Sequence, residues 1–145
     1  MSSLAFAEDG ALTGERILLV EDQDEYRDLM RQVFERAGAT VADADTAAEA
    51  LTLLDTVRPT IIVSDIGLPG MDGYSFMRAV RAKNESLAAH AYAVAVTSHV
   101  APEDRAAAFD AGFDAHMGKP FDCTRLLEVV STVHAKRPRD PQRMQ

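Results

Sequence analysis

Along the chain, short runs of β-branched and aliphatic residues alternate with stretches whose apolar positions recur every three or four residues. Ile17-Leu18-Leu19-Val20, Ile61-Ile62-Val63 and Ala93-Val94-Ala95-Val96 are continuous apolar runs too short for helices, the pattern of strands buried on both faces. Weaker runs at Thr40-Val41-Ala42 and Phe113-Asp114-Ala115-His116-Met117 predict two more strands. Between them lie five helical stretches. The first runs from about Asp24 to Ala37, with Leu29, Met30, Val33, Phe34 and Ala37 on one face and Gly38 as a stop. The second opens with Thr46-x-x-Glu49, a capping-box pattern, carries Ala50, Leu51, Leu54 and Val57 inward, and is closed by Pro59. The third starts near Asp72-Gly73 and turns Phe76, Met77 and Val80 inward. The fourth starts at Pro102-Glu103-Asp104, acids that suit a helix N-terminus, and continues through Ala106, Ala107 and Phe109 to Gly112. The fifth follows Asp122, buries Leu126, Leu127, Val130 and Val133, and ends near Lys136-Arg137-Pro138.

Five strand–helix units joined by short loops predict right-handed crossovers and one parallel sheet covered by helices on both faces. That is an α/β, doubly wound, five-stranded domain, and the flavodoxin-like order 2-1-3-4-5 suits five units better than an eightfold barrel. Residues 1–14 are small, polar and aperiodic and read as a flexible leader; 15–137 form the domain; 138–145 read as a disordered tail.

Composition narrows the function. A chain of 145 residues is one domain by length. Its net charge of −8 argues against a nucleic-acid partner and against an anionic membrane surface. The single cysteine, Cys123, forms no intramolecular disulfide, and no apolar run approaches the roughly 20 residues that cross a bilayer. Both fit a cytoplasmic protein.

Ligands of open parallel sheets bind at the carboxyl ends of the strands. Glu21-Asp22-Gln23-Asp24 follow the first strand, Asp65 the third, Thr97-Ser98 the fourth and Lys119-Pro120 the fifth. Carboxylates gathered at one rim repel unless neutralised. Lys119 is one counter-charge, and a hard divalent cation is the other: Mg²⁺ (or Mn²⁺) takes one or two carboxylates and a phosphoryl oxygen. Together these residues describe phosphoryl transfer. Asp65 is the candidate nucleophile, Glu21, Asp22 and Asp65 the candidate metal ligands, and Lys119 and Thr97 the groups for the phosphoryl oxygens. Each segment alone is ordinary for a helix N-terminus, a turn or a cap. The conjunction carries the reading.

In these segments the chain resembles the response-regulator receiver domain of two-component signalling, from about Arg16 to Val133. The carriers are Leu-Val-Glu21-Asp22, Ser-Asp65-Ile-Gly-Leu-Pro69-Gly-Met-Asp-Gly73, Thr97-Ser98 and Gly118-Lys119-Pro120-Phe121. The resemblance implies that Asp65 accepts phosphate from a phosphohistidine on a histidine kinase or histidine phosphotransfer protein. It implies Mg²⁺ on Glu21, Asp22, Asp65 and the backbone carbonyl of Gly67. Thr97, with Ser98 beside it, would engage the phosphoryl group together with Lys119. The surface of the fourth helix, fifth strand and fifth helix would then report the state to a downstream protein. Such a chain is a signalling phosphoacceptor, a monomer or weak dimer, and assists only its own phosphorylation and dephosphorylation. Where the family usually has Tyr or Phe as a switch residue, three positions before the lysine, this chain has His116. Gly67 and His99 stand two residues after Asp65 and Thr97, beside the line of water attack, and are candidate modulators of dephosphorylation. Glycine leaves that line open, and His99 either blocks or orients the water.

Two other functions are weighed. A haloacid-dehalogenase-like phosphatase also uses an Asp nucleophile and Mg²⁺, but needs a second Asp two residues on, where Gly67 stands. A flavin- or nucleotide-binding module needs a phosphate cradle after the first strand, where Glu21 and Asp22 would repel it. The chain carries no output domain after the fifth helix, which leaves a stand-alone receiver and a piece of a hybrid histidine kinase both open.

Overall fold

The computed structural model describes residues 10–83 and 86–136. Strands β1 (Arg16–Val20), β2 (Thr40–Ala44), β3 (Ile61–Ser64), β4 (Tyr92–Thr97) and β5 (Ala115–Gly118) form one sheet in the order β2-β1-β3-β4-β5. All the pairings are parallel. Helices α1 (Asp24–Arg36), α2 (Ala47–Val57), α3 (Gly73–Arg81), α4 (Pro102–Ala111) and α5 (Cys123–Lys136) connect or follow the strands, with a 3₁₀ turn at Leu87–His90 before β4. The expected doubly wound sheet is therefore present, in the expected order.

Alternation along each strand divides the core. Ile17, Leu19, Val63, Val94 and Val96 face α1 and α5, where Met30, Phe34, Leu126 and Val130 meet them. Leu18, Val20, Ile62, Ala93 and Ala95 face α2, α3 and α4, against Leu54, Phe76, Met77, Val80 and Ala108. Each large side chain fully buried in this way contributes about 1.5–3 kcal/mol. The capping signal at α2 is real: Thr46 accepts a bond from the Glu49 N–H at 3.1 Å. The Glu49 carboxylate accepts from the Asp45 N–H at 3.3 Å, one residue before the Thr46 cap, so the second bond of a full capping box is displaced by one position.

Three local expectations are corrected. Residues 10–14 are a turn packed on the domain, not flexible leader. Leu12 is fully buried beside Phe34 and Ala37, and its N–H bonds the Ala37 carbonyl at 2.8 Å. A Cβ on Gly38 would lie 2.6 Å from the Thr13 hydroxyl, so this turn needs glycine beneath it. Leu29, expected inward on α1, is 38% exposed, because Met30, Val33 and Phe34 already fill the buried stripe. Strand β5 starts later than its apolar run, with Phe113 in the core ahead of it and Asp114 bonding the Ala93 N–H at 2.9 Å. The rest of the expected leader (1–9), the tail from 138 and the side chain of Val133 lie outside the description.

Arg81, unremarkable in the sequence, ties the far end of α3 to its neighbours. Its guanidinium donates to the carbonyls of Gly112, Ala89 and Ala91 at 2.7–3.0 Å and to Asp114 at 3.1 Å.

The turn carrying Leu12 gives a direct test. Leu12→Ala should cost about 2–5 kcal/mol of unfolding free energy in denaturant titration, as a buried leucine does. A cost within about 0.5 kcal/mol would return residues 10–14 to an inert leader.

Candidate functional site

The parallel register brings distant segments to one rim. Val20 lies beside Ser64 and Ala44, Ser64 beside Ala95, and Thr97 beside Gly118. Glu21, Asp65, Thr97 and Lys119, at or just past these ends, therefore converge.

Lys119 is at the centre. Its ammonium lies 2.8 Å from Glu21 Oε1 and 2.8 Å from Asp65 Oδ2, with side-chain exposures of 5%, 0% and 9% for the three residues. It also reaches Gln23 Oε1 at 3.3 Å and sits 4.4 Å from the centre of the Tyr26 ring. The Asp65 carboxylate is further fixed by the N–H groups of Ile66 and Gly67, at 2.6 and 3.1 Å from Oδ1. The Gln23 N–H bonds Glu21 Oε2 at 3.0 Å.

Burial pushes Glu21 above the ordinary carboxylate range, although Lys119 and the Gln23 N–H oppose it. Burial acts on Asp65 in the same sense. There the hydrogen bond and charge of Lys119, with Thr97 and the Gly67 N–H, outweigh it and hold the carboxyl below its usual value. Asp65 is thus an anion at neutral pH, as a nucleophile must be. For Lys119, burial would lower the pKa, but Asp65 and Glu21 raise it, so the ammonium stays charged.

Oxygens of Glu21, Asp22 and Asp65 lie within 4.8 Å of one another, with Asp22 exposed and the other two buried. Three carboxylates against one ammonium leave two negative charges over. The all-oxygen donor set and the open side at Asp22 fit a hard divalent cation that keeps some of its waters.

Thr97 is fully buried, and its hydroxyl accepts the His99 N–H at 3.2 Å. Ser98 and His99 are exposed on the loop that follows. The His99 ring packs on Gly67: a Cβ placed there would be 3.2 Å from Nε2. His116 is half-buried, and its Nε2 lies 3.0 Å from the His99 carbonyl. Gly67 has no side chain to act as the general acid of a haloacid-dehalogenase-like phosphatase. The loop after β1 is acidic, not the N–H cradle of a nucleotide module.

Sequence reasoning missed three contributors. Gln23 and Tyr26 flank Lys119 from the first turn of α1, and their spacing behind the acids was the available signal. Gly73 stood in the motif only as a helix start. Here a Cβ on it would meet the Asp65 carbonyl oxygen at 2.4 Å and Ile66 Cα at 2.6 Å. The N-terminus of α3 thus presses on the loop that carries Asp65, and the Gly73 N–H bonds the Ile66 carbonyl at 2.8 Å.

Residues 17–131 match the family described as the response regulator receiver domain. The chain is 40% identical over 116 residues to an uncharacterized 14.6 kDa protein in the sodA1 3′ region of Leptolyngbya boryana, covering 79% of this chain and 86% of that one. It spans only 10–54% of the length of further curated relatives, among them transcriptional regulators and histidine kinases. Its structure is similar to the chemotaxis response regulator CheY4 of Vibrio cholerae, with TM-score 0.78 and 27% identity over 83% of this chain and 99% of that one. It is also similar to the receiver domain of sensor histidine kinase PA1611 from Pseudomonas aeruginosa, with TM-score 0.74 and 27% identity over 83% and 97% of the two chains. That structure holds a magnesium ion coordinated in its active-site cleft.

Because Gly73 has no slack, Gly73→Ala should displace the Asp65 loop and weaken Mg²⁺ binding about tenfold or more in calorimetric titration, as loss of a supporting contact does. Unchanged affinity would mean that the loop adapts.

Proposed function

Since this chain belongs to the response regulator receiver domain family of two-component systems, we propose that Asp65 is its phosphoacceptor and that the donor is a phosphohistidine of a histidine kinase or histidine phosphotransfer protein. One observation above all supports this: an ionised Asp65 bound to a buried lysine at a rim that also holds Glu21 and Asp22.

An Asp65 carboxylate oxygen attacks phosphorus, the phosphorus–nitrogen bond of the donor breaks, and the departing imidazole nitrogen takes up a proton. The Ile66 and Gly67 N–H groups and Lys119 hold the carboxylate against rotation, so the nucleophile is oriented in advance. Glu21, Asp22, Asp65 and the Gly67 carbonyl would hold Mg²⁺, which when bound would supply Lewis-acid screening of the phosphoryl charge. Lys119 passes from bonding Asp65 to bonding a phosphoryl oxygen. Thr97 bonds another as its hydroxyl turns toward the new charge, and Ser98 follows on the same loop. Movement of that loop carries α4 and β5 with it and alters the α4–β5–α5 surface read by a downstream protein. The chemistry of this reading is the chain's own modification, not turnover of a separate substrate.

The His99 ring lies close enough to Gly67 that a Cβ there would be 3.2 Å from Nε2, which sets the ring beside the loop that carries Asp65. This supports a blocking role for His99.

Incubation with Mg²⁺ and acetyl phosphate should raise the intact mass by one phosphoryl group, and Asp65→Asn should abolish the gain. Modification of the Asp65→Asn protein to the same extent would remove the assignment. His99→Ala should speed loss of the phosphoryl group, and Gly67→Asn should slow it, each by about tenfold, or about 1.4 kcal/mol of barrier. Equal decay rates in all three proteins would remove the modulator role.

A further inference from the structure

We propose that Tyr26, together with Gln23, is a positioning residue that gives the Lys119 ammonium a second seat, which it keeps when a divalent cation draws Glu21 and Asp65 away from it. This deepens the receiver reading and rests on it for what the seat serves.

The acids at this rim are claimed twice. Glu21 and Asp65 each lie 2.8 Å from the Lys119 ammonium, and the same two acids, with Asp22, carry oxygens within 4.8 Å of one another. A carboxylate that serves a divalent cation holds the ammonium less well, and two cations side by side repel. Lysine has a flexible four-carbon stem and a strongly hydrated head. An ammonium that loses both acids therefore drifts into water unless something else retains it.

Two neutral groups are in place to do so. The ammonium lies 4.4 Å from the centre of the Tyr26 ring and 3.3 Å from the Gln23 side-chain oxygen. A ring face attracts an ammonium, but it competes poorly with water for Mg²⁺, which takes oxygen ligands and dehydrates reluctantly. The two cations therefore sort themselves, the acids suiting one and the ring the other. Local structure supports this use. Gln23 occupies the N-cap of α1, a place where Ser, Thr, Asp or Asn usually caps the helix, yet its side chain makes no cap bond. Its oxygen takes the lysine instead. Tyr26 follows three residues later, on the same face of the first turn. Its ring is half-buried on the core beside Phe121, with centroids 5.6 Å apart and planes tilted by 43°. Phe121 belongs to the segment between β5 and α5 that also carries Lys119, so ring and ammonium are tied from both sides. Arg27 pins the start of α1 by donating to the Glu21 carbonyl at 2.8 Å. The ring touches the ammonium before the exchange as well, but only afterwards is it a main partner, so its loss weighs on the loaded form.

NMR of the lysine in the intact chain tests the seat directly. Overhauser contacts between the Lys119 Hε protons and the Tyr26 ring should be present without metal and persist when Mg²⁺ saturates the site. Their disappearance on Mg²⁺ addition would overturn the proposal, and this measurement needs no variant. Calorimetric titration with Mg²⁺ reads the energetic side. Tyr26→Phe, which keeps the ring face, should bind as the wild type does. Tyr26→Leu, which keeps apolar bulk without the face, should bind about threefold to fivefold more weakly, the loss of one cation–ring contact. In a Lys119→Met background the Tyr26→Leu change should leave Mg²⁺ affinity where it was, because the ring acts through the ammonium. Unchanged affinity in Tyr26→Leu, an equal loss in the Lys119→Met background, or an equal loss in Tyr26→Phe would reduce Tyr26 to a packing residue and overturn the assignment. Failure of acetyl phosphate to modify Asp65 would overturn the receiver reading and leave the NMR and calorimetric results standing by themselves.

Discussion

The Lys119 ammonium between Glu21 and Asp65 is the contact on which the rest of the structure depends. Two carboxylates taken out of water repel each other and lose their hydration. Without a cation between them, this rim would stay closed only with its acids protonated, and a protonated Asp65 is no nucleophile. Breaking such a buried pair by removing one partner commonly costs about 3–5 kcal/mol. Tyr26 beneath the ammonium and Gln23 beside it keep the lysine in this position and not in solvent.

The sheet is what makes that contact possible. Glu21 and Lys119 are almost a hundred residues apart, and they meet because parallel strands in the order β2-β1-β3-β4-β5 end at one edge. Strands β1 and β3 are neighbours at the centre, so the acid that follows each faces the other. Close packing beneath them removes slack. Gly73 lets α3 approach the loop to within van der Waals contact, and any added atom must push the Asp65 backbone. The stability of the fold and the geometry of the site are therefore the same arrangement seen from two sides.

The loop after β4 has a different character. Its side chains are exposed, and it is held by hydrogen bonds of ordinary strength, not by buried apolar surface. Neighbouring α4 buries only Ala108 and Ala111 and leaves Phe109 39% exposed under the Arg105 guanidinium. Few large side chains resist a shift of this element, whereas β1 and β3 are locked on both faces. On the proposed reading, a charge placed at Asp65 moves the one without disturbing the other.

Local pattern was enough to locate the five strands and five α-helices of the described residues, though not the 3₁₀ turn at Leu87–His90, because burial on both faces and period-3.6 stripes are properties of neighbouring residues. It also located Glu21, Asp22, Asp65, Thr97 and Lys119, since strand ends are recognisable and acids or a lysine there have few structural reasons to be present. Contacts that close over long separations were not legible. Leu12 reads as a polar leader until Ala37 offers it a carbonyl and a core. Leu29 reads as buried until its neighbours fill the stripe, and Arg81 shows no sign of the three carbonyls it gathers. Gly73 looks like a helix start and becomes a close approach only against Asp65. The place of His116 follows the same rule. Its identity was plain in the chain, but only folding set its ring beside a carbonyl 17 positions away, with Arg105 and Asp104 to contest its charge. Sequence determined which groups were available and at which strand end, because pattern and chemistry are local. Tertiary structure decided which of them touch, because distance, burial and charge balance belong to the whole fold.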